Sequence, residues 1–236
     1  WGQNHIKTLS QLGCLAAIAD ENERRIQELA ALYPQAQVFT SCDAAINAAF
    51  DAYVVATPAE THYEIGKKIL SKGISVLIEK PMTLLAERSR ELVELARQNG
   101  AQLMVGHVLL FHPAIRKIKE IVDRGKIGQL YYIYSTRLNL GTVRTEENVF
   151  WSFAPHDISV LDYIIGAQPL KMRAKGAKFL QDRIFDVTMT QFEYPNNVHA
   201  HIHVSWLHPF KEQRLVLVGS QGMIAFDDSS AEKEIH

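Results

Sequence analysis

The sequence predicts an α/β protein in which a doubly wound parallel sheet is followed by an α+β domain with a largely antiparallel sheet. Over residues 5–107, short continuous apolar runs alternate with amphipathic helical segments, the pattern of a parallel sheet covered by helices on both faces. From about residue 127, strand-like segments follow one another with turn residues between them, and a single helix-like stretch at 155–165 interrupts them. We therefore expect two domains, 1–107 and 108–236.

The apolar runs of the first domain predict strands at 15–19, 52–56, 74–78 and 103–105. Helical periodicity predicts one helix that starts near Asn4 and three more at 21–33, 62–71 and 83–98. Pro34, Gly73 and Asn99-Gly100 end these last three helices. In the second domain we predict strands at 130–137, 186–194, 198–206 and 214–218.

The charge balance and the apolar content exclude several classes of function. Lys and Arg total 25 against 26 Asp and Glu, and no basic stripe is present, so we expect neither a nucleic-acid partner nor an anionic membrane surface. No run approaches the roughly 18 apolar residues of a membrane span. The two cysteines lack metal-ligand spacing and favour a reducing cytoplasm. The chain opens on Trp1 without a signal-peptide pattern, and we expect a truncated start.

Polar residues cluster where the predicted strands of the first domain end. In parallel sheets, ligands bind at the carboxyl ends of the strands. Such positions are occupied by Asp20, Thr57, Pro58, Glu79, Lys80 and His107. This convergence predicts a ligand site at that edge of the sheet.

The start of the chain carries part of a dinucleotide-binding pattern. Such a site needs a glycine-rich turn before its first helix and an acid about 20 residues later. Trp1-Gly2 precedes the first predicted helix, and Asp20 ends the next strand, so only the last glycine of the turn is present. A glycine and a distant acid are commonplace, and Asp20 as a surface acid before a helix remains an open alternative.

Four motifs together resemble the Gfo/Idh/MocA family of oxidoreductases. They are Ala-Thr-Pro-Ala-Glu-Thr-His at 56–62, Glu-Lys-Pro at 79–81, Gly-His at 106–107 and Phe-Trp-Ser-Phe-Ala-Pro-His-Asp-Ile-Ser at 150–159. The resemblance covers essentially the whole chain and is strongest to the branch of UDP-N-acetylglucosaminuronate 3-dehydrogenases. It implies an NAD-binding Rossmann domain at 1–107 that lacks its first strand. It also implies a substrate and oligomerisation domain at 108–236 that lacks its C-terminal part.

The resemblance implies NAD as the cofactor. Trp1 and Gly2 would lie at the pyrophosphate, and Asp20 would accept hydrogen bonds from the adenosine ribose and repel a 2′-phosphate, which favours NAD over NADP. Arg24 and Arg25, a turn into the next helix, are expected to be solvated. Further cofactor contacts are expected from Thr57, Pro58, His62, Glu79, Lys80 and His107. A partly buried histidine without a cofactor role is the alternative for His62.

Two residues are expected to manage the proton of a substrate hydroxyl. Hydride removal from a secondary alcohol requires that the hydroxyl proton be taken up or the developing alkoxide stabilised. By resemblance, Lys80 stands between nicotinamide and substrate, and His156 is the second acid–base group. Pro81 is expected to follow a cis bond that aims Lys80 inward.

The second domain departs from the family pattern at three positions. Ser152 and Ser159 stand where many relatives carry acids, so Asp157 is expected to act as an orienting partner of His156 and to contact substrate. Leu110 replaces an arginine common in relatives, so a substrate contact made elsewhere in the family is expected to be absent.

Other polar residues of the second domain are candidate substrate contacts. Asn139 and Arg144 lie between a strand and His156, and Arg144 could hold a carboxylate or phosphate bidentately, although a solvated loop arginine is an open alternative. Lys211 and Arg214 could meet substrate or a neighbouring subunit.

Three alternating histidines offer a competing interpretation. His199, His201 and His203 point to one face of a predicted strand, and three imidazoles can bind zinc or copper. Same-face strand positions are far apart for one tetrahedral ion, and no carboxylate or cysteine joins them. We therefore expect no metal and interpret this face as an intersubunit or solvated surface.

These expectations combine into one function. We expect NAD-dependent oxidation of a sugar secondary alcohol, at C3 of a UDP-N-acetyl-hexuronate by resemblance, on a route to surface polysaccharide. A free-sugar or inositol dehydrogenase is the alternative within the family, and a non-catalytic NAD-sensing regulator is the alternative outside enzymology. A small-molecule substrate and a homodimer or homotetramer are the expected partners.

Overall fold

The computed structural model describes residues 1–141, 143–145 and 147–236, and these form two compact units. The units are Trp1–Gly106 and His107–His236, so the division falls one residue before the predicted boundary. In the described part of the chain, no helix has both the length and the apolar character needed to cross a membrane.

The first unit alternates strands and helices along the chain. Its strands are β1 (Ala17–Ala19), β2 (Gln37–Phe39), β3 (Ala52–Val55), β4 (Ser75–Ile78) and β5 (Leu103–Val105). Its helices are α1 (Gly2–Gln11), α2 (Glu23–Leu32), α3 (Cys42–Asn47), α4 (His62–Ser71) and α5 (Ala86–Gln98). The predicted elements are confirmed within a few residues, and the sequence analysis did not find β2 and α3.

All strand pairs of the first unit are parallel, as predicted. β3, β4 and β5 form a three-stranded sheet in that order, and β1 pairs with β2 in a separate two-stranded sheet. Each strand is only three or four residues long, so the pairing alone stabilises little, and helices must cover the faces.

Gly66 sets how closely α4 packs on this sheet. A Cβ atom at Gly66 would lie 2.7 Å from the Cδ1 atom of Ile78, so glycine permits a contact that any larger residue would push apart. Ile78 and Leu92 are fully buried beside it. This packing fixes the end of β4, where the candidate site begins.

The second unit is a six-stranded sheet backed by two helices. Its strands are β6 (Leu130–Leu140), β7 (Lys171–Ala177), β8 (Val187–Glu193), β9 (His199–Ser205), β10 (Leu207–Gly219) and β11 (Met223–Asp227), and its helices are α6 (Pro113–Asp123) and α7 (Val149–Ile165). The strand order is β11-β10-β6-β9-β8-β7. Among the described strands of this second unit, only the β6–β9 pair is parallel, so the prediction of a largely antiparallel sheet is confirmed.

Two elements of the second unit differ from the predictions for physical reasons. The sequence analysis did not predict β7. It is an edge strand, and its exposed residues, which include Lys171, Arg173 and Lys175, leave it without a continuous apolar run. α7 begins at Val149 rather than near Pro155 because the Asn148 side chain accepts a hydrogen bond from the Trp151 amide and caps the helix. α6 and β11 were not predicted.

The core of this unit lies between α7 and one face of the sheet. Leu161 and Ile164 of α7 and Ile202 and Val204 of β9 are almost completely buried there. Each such side chain contributes roughly 1.5–3 kcal/mol on transfer from water. The alternation of β9 therefore determines which of its faces meets the helix.

The three alternating histidines lie on the opposite face of β9. His199 is exposed, His203 is half-buried, and the ring of His201 stacks on Tyr134 with 5.3 Å between ring centroids. In the described part of the chain, no group of three or more His, Cys, Asp or Glu side chains is arranged to hold a metal ion. His201 thus packs across the sheet surface, and His199 Nε2 lies 3.1 Å from Asn197 Oδ1.

We predict that replacing His201 and His203 with glutamine flattens the pH dependence of stability below neutrality. Burial lowers the pKa of both imidazoles below 6.5, and for His203 the nearby His208 adds to this while Glu212 opposes it. Below pH 6.5 the unfolded chain binds protons that the folded chain does not, so the free energy of unfolding falls as the pH decreases toward the folded-state pKa values. Urea unfolding at pH 7 and pH 5 measures this slope. His199→Gln is the matched control, and a slope unchanged in the double variant would contradict the prediction.

Candidate functional site

The N-terminus of α1 is open to a ligand at the predicted pyrophosphate position. The Trp1 side chain makes no capping hydrogen bond, and the first turn of α1 contains no acidic residue. A Cβ atom at Gly2 would meet only the Ala56 side chain, at 3.9 Å. The amide groups and positive end of such a helix favour an anionic group.

Asp20 follows β1 and is hydrogen-bonded to its own loop. Its Oδ1 accepts from the Asn22 amide at 2.9 Å, and its Oδ2 accepts from Arg25 Nη1 at 3.1 Å. The Asp20 side chain remains 27% exposed, which leaves it accessible to a ribose. Arg25 is exposed to solvent, as expected, and it also pairs with this carboxylate. Arg24 instead pairs with Glu28 on the surface of α2.

The turn after β3 is held by its own hydroxyl groups and by His62. The Oγ1 atoms of Thr57 and Thr61 lie 2.7 Å apart, and Thr61 donates to the Pro58 carbonyl at 2.8 Å. The His62 side chain is 1% exposed, and its two ring nitrogens lie 2.8 Å from the carbonyl oxygens of Thr57 and Pro81. The ring therefore joins two strand-end turns, and the expected contact of His62 with the cofactor stays a prediction.

The segment after β4 presents Lys80 and buries Glu79. The Lys80–Pro81 bond is cis, as predicted. Glu79 is 6% exposed, its Oε1 lies 2.7 Å from His5 Nε2, and its Oε2 accepts from the Lys80 amide at 3.2 Å. Protein groups thus hold this carboxylate, and its expected contact with the cofactor stays a prediction. Lys80 itself is half-buried.

The residues of the first unit fit a bound dinucleotide. An uncapped helix N-terminus, an accessible acid after β1, and the turns after β3 and β4 all lie at strand or helix ends of this one unit. All the cofactor contacts expected from the sequence remain predictions: Trp1, Gly2, Asp20, Thr57, Pro58, His62, Glu79, Lys80 and His107. His107, half-buried, belongs to the second unit and opens its first short helical turn, Val108–Phe111.

Asp157 is anchored inside the second unit. Its Oδ2 accepts from Arg137 Nε at 3.0 Å, and its Oδ1 accepts from Arg137 Nη2 at 3.2 Å and from Ser135 Oγ at 2.7 Å. The Asp157 and Arg137 side chains are 4% and 15% exposed. This bidentate pair ties α7 to β6, and the expected contact of Asp157 with substrate stays a prediction.

The remaining candidates of the second unit lie near the ends of β6 and along α7. His156 is half-buried on α7, and its carbonyl accepts from Ser159 Oγ at 2.7 Å. The Oδ1 atom of Asn139 is buried and has no hydrogen-bond partner among the described residues. Arg144 is exposed, and its carbonyl accepts from Gln181 Nε2 at 2.8 Å.

Lys211 and Arg214 lie on β10. Lys211 is exposed, and Arg214 Nη2 is 3.6 Å from Asp227 Oδ2 on the neighbouring strand β11. Arg214 is thus held at the sheet surface.

Sequence reasoning missed three residues that organise these sites: His5, Ser135 and Arg137. His5 lies three residues after Gly2, but nothing in a helical pattern shows that it will meet a carboxylate 74 positions away. Ser135 and Arg137 are two positions apart on β6, a spacing that places both on one face of the strand. The sequence does not show which acid they bind.

Two family models match the chain. Residues 1–107 match the model described as "Oxidoreductase family, NAD-binding Rossmann fold", and residues 115–225 match the model of the Gfo/Idh/MocA C-terminal domain. Together they cover both units, and the first of them includes all the cofactor contacts expected from the sequence.

Individual relatives point to sugar chemistry. A UDP-N-acetylglucosamine 3-dehydrogenase from Acidithiobacillus ferrooxidans is 30% identical over 77% of the chain, which spans 56% of that relative. An inositol 2-dehydrogenase from Rhizobium meliloti is 25% identical over 73% of the chain, which spans 53% of it. The WlbA dehydrogenase from Bordetella pertussis, crystallised with NADH and UDP-GlcNAcA, shares the fold with a TM-score of 0.88 at 21% identity, over 95% of this chain and 70% of that one.

We predict that Asp20→Ser reduces the preference for NADH over NADPH about tenfold, the equivalent of about 1.4 kcal/mol. The substitution removes the charge that repels a 2′-phosphate and releases Arg25 to pair with it. Fluorescence titration with both reduced cofactors gives the two dissociation constants. In the Asp20→Ser background, Arg25→Gln should abolish the gain in NADPH affinity and Arg24→Gln should not. An unchanged preference would remove Asp20 from the ribose site.

We predict that Asp157→Leu lowers the free energy of unfolding by about 3 kcal/mol, because it leaves Arg137 unpaired in a largely buried position. Replacing both partners, as in the Asp157→Leu/Arg137→Met variant, should recover most of the loss. Urea denaturation measures both effects. The exposed pair Lys171–Glu193 on the same sheet is the control, and Glu193→Gln should change stability by no more than about 0.5 kcal/mol. Equal losses at the two pairs would contradict this account.

Proposed function

The chain belongs to the Gfo/Idh/MocA family of oxidoreductases, and we propose that it is the cofactor-binding and part of the substrate-binding portion of an NAD-dependent sugar dehydrogenase. Lys80 lies at the carboxyl end of β4, and hydrogen bonds hold Glu79 and Pro81 on either side of it. This placement is the observation that carries the proposal. Bound NAD would supply the hydride acceptor.

The cofactor half of the proposal rests on residues of the first unit. Amide groups at the start of α1 would bind the pyrophosphate, and Asp20 would bind the adenosine ribose hydroxyls. Thr57 and Pro58, in the turn after β3, would line the nicotinamide end. The chain thereby orients the cofactor, and its own reactive groups handle the proton.

Lys80 is proposed to accept the hydroxyl proton of the sugar as the adjacent carbon is oxidised. The neutral amine of Lys80 would take up this proton, and the ammonium that forms would stay beside the oxygen that becomes the carbonyl of the product. His156 on α7 is proposed as the second acid–base group. A regulator that only senses NAD has no use for both groups, so their joint presence favours the enzyme.

The proposed substrate is a UDP-linked N-acetyl-hexuronate that is oxidised at C3. The relative named as a UDP-N-acetylglucosamine 3-dehydrogenase supports a UDP-sugar that is oxidised at C3, and the fold shared with the dehydrogenase crystallised with UDP-GlcNAcA supports the uronate. Asn139, whose buried Oδ1 lacks a partner among the described residues, suits a sugar hydroxyl donor. Arg144 is exposed and suits a carboxylate or a phosphate.

Oxidation of an inositol or a free sugar is the second candidate. The relative named as an inositol 2-dehydrogenase supports it at an identity only slightly lower than that of the nucleotide-sugar enzyme. An inositol carries no anionic group. The contribution of Arg144 to KM therefore distinguishes the two substrates.

We also propose that the open sheet face mediates self-association to a homodimer or homotetramer. Across this face Met223, Val218, Tyr132 and His199 pair in register on neighbouring strands, and Met223 and Tyr132 are 72% and 41% exposed. Exposed apolar rows of this kind mark interaction surfaces. Sedimentation velocity of the protein and of a Tyr132→Glu variant tests the assignment.

We predict that Lys80→Met abolishes turnover while NADH still binds. The experiment follows reduced-nicotinamide absorbance with NAD and a panel of UDP-sugars, free sugars and inositols, on the full parent protein. Loss of the proton acceptor should lower kcat at least about a hundredfold. Lys72→Met, at an exposed lysine that bonds only Asn47 in the described contacts, is the matched control.

Each result has a defined meaning. Turnover of a UDP-hexuronate that disappears in Lys80→Met and persists in Lys72→Met would support the proposal. Turnover only of inositols would replace the substrate. NAD binding without turnover of any sugar would refute the dehydrogenase and favour the regulator.

A further inference from the structure

We propose that His5 and His62 act together as positioning residues for Lys80, a pair that we call the histidine clamp. His62 holds the residue after Lys80 through the Pro81 carbonyl, and His5 holds the residue before it through the Glu79 carboxylate. This inference rests on the proposed role of Lys80 and adds the groups that set its position.

His62 fastens the segment on its C-terminal side. As the first residue of α4 it is almost fully buried, and its Nδ1 and Nε2 atoms lie 2.8 Å from the carbonyl oxygens of Pro81 and Thr57. Carbonyl oxygens only accept hydrogen bonds, so each contact requires an N–H on the ring. A neutral imidazole has one N–H group and can donate to one of the two carbonyls, whereas a doubly protonated ring can donate to both.

His5 fastens the segment on its N-terminal side. The Glu79 carboxylate is buried, and such a group must be hydrogen-bonded to be tolerated. Its Oε1 lies 2.7 Å from His5 Nε2, and its Oε2 accepts from the amide of Lys80 itself. An ionised carboxylate has no donor, so the His5 ring supplies the N–H.

The backbone around Glu79 is shaped for this contact. A Cβ atom at Gly106, just past β5, would lie 2.9 Å from Glu79 Oε2 and 3.0 Å from Oε1. Glycine at this position therefore leaves the space that the carboxylate fills. The pocket for Glu79 is consequently formed by α1, the end of β5 and the Lys80 amide.

The clamp joins the turns that are proposed to bind the cofactor. His5 lies on α1, whose N-terminus faces the proposed pyrophosphate position, and Thr57 lies in the turn after β3. Both are tied by histidine rings to the three residues centred on Lys80. The two rings thus set where Lys80 lies relative to these turns, and an error of about 1 Å in such a group can cost about a hundredfold in rate.

The test uses His5→Phe and His62→Leu, which remove the ring donors, and His5→Gln and His62→Gln, which keep a donor. We expect the first two to lower kcat by about 10- to 100-fold while the KM for NAD changes by no more than about threefold. The glutamine variants should recover part of kcat. His236→Gln, at an exposed histidine near the chain end, is the matched control.

A second readout does not depend on turnover. In trace acetylation of the NADH-bound protein, peptide mass spectrometry gives the labelling ratio of Lys80 to Lys72. We expect the clamp variants to change this ratio at least about threefold, because the reactivity of a lysine amine depends on the surroundings in which its backbone places it. NADH fluorescence titration confirms that each variant still folds and binds.

The outcomes separate the clamp from the dehydrogenase proposal. If the wild-type protein oxidises no sugar, the dehydrogenase proposal fails, and the labelling ratio alone decides on the clamp. A ratio and a kcat both unchanged in His5→Phe and His62→Leu would overturn the clamp. Parallel losses of kcat and NADH affinity, without recovery by glutamine, would also overturn it in favour of a purely structural role.

Discussion

The Glu79 carboxylate is buried at the carboxyl end of β4, where a charge is tolerated only if neighbouring groups hydrogen-bond it. That requirement recruits a histidine from α1, the amide of Lys80 and a glycine after β5. One buried acid thereby ties together segments that are far apart in sequence. The short strands of the first unit have little pairing energy of their own, so such contacts at their ends determine the local geometry.

The second unit meets the same constraint with Asp157. Arg137 and Ser135 of β6 satisfy its carboxylate, and the pair fixes the rotation of α7 about its axis. His156 is the adjacent helical residue and is displaced from Asp157 by about 100° around the helix. Anchoring Asp157 therefore also fixes the direction in which His156 leaves the helix. In each unit the candidate proton-transfer residue is adjacent in sequence to a buried acid whose carboxylate is hydrogen-bonded by protein groups.

This arrangement explains why neighbouring polar residues have different roles. Lys80 and His156 are half-buried, whereas Glu79, Asp157 and His62 are buried and bonded to protein groups. The hydrogen bonds of the buried residues order the backbone segments that carry Lys80 and His156. The chemistry proposed for the chain depends on that order, since a lysine side chain is flexible and is placed mainly by its backbone. The family relationship accounts for the fold, and these contacts account for the position of the groups on it.

The sequence by itself determined the parallel first unit, the largely antiparallel second unit, the position of Lys80 at a strand end and the cis bond that follows it. These features are local: apolar periodicity, turn residues and short motifs carry them within a few positions. The partners of Glu79, His62 and Asp157 were decided only by the tertiary structure. Burial and long-range hydrogen bonds assign these roles, and a one-dimensional pattern contains neither the distance between His5 and Glu79 nor the face on which Arg137 meets α7.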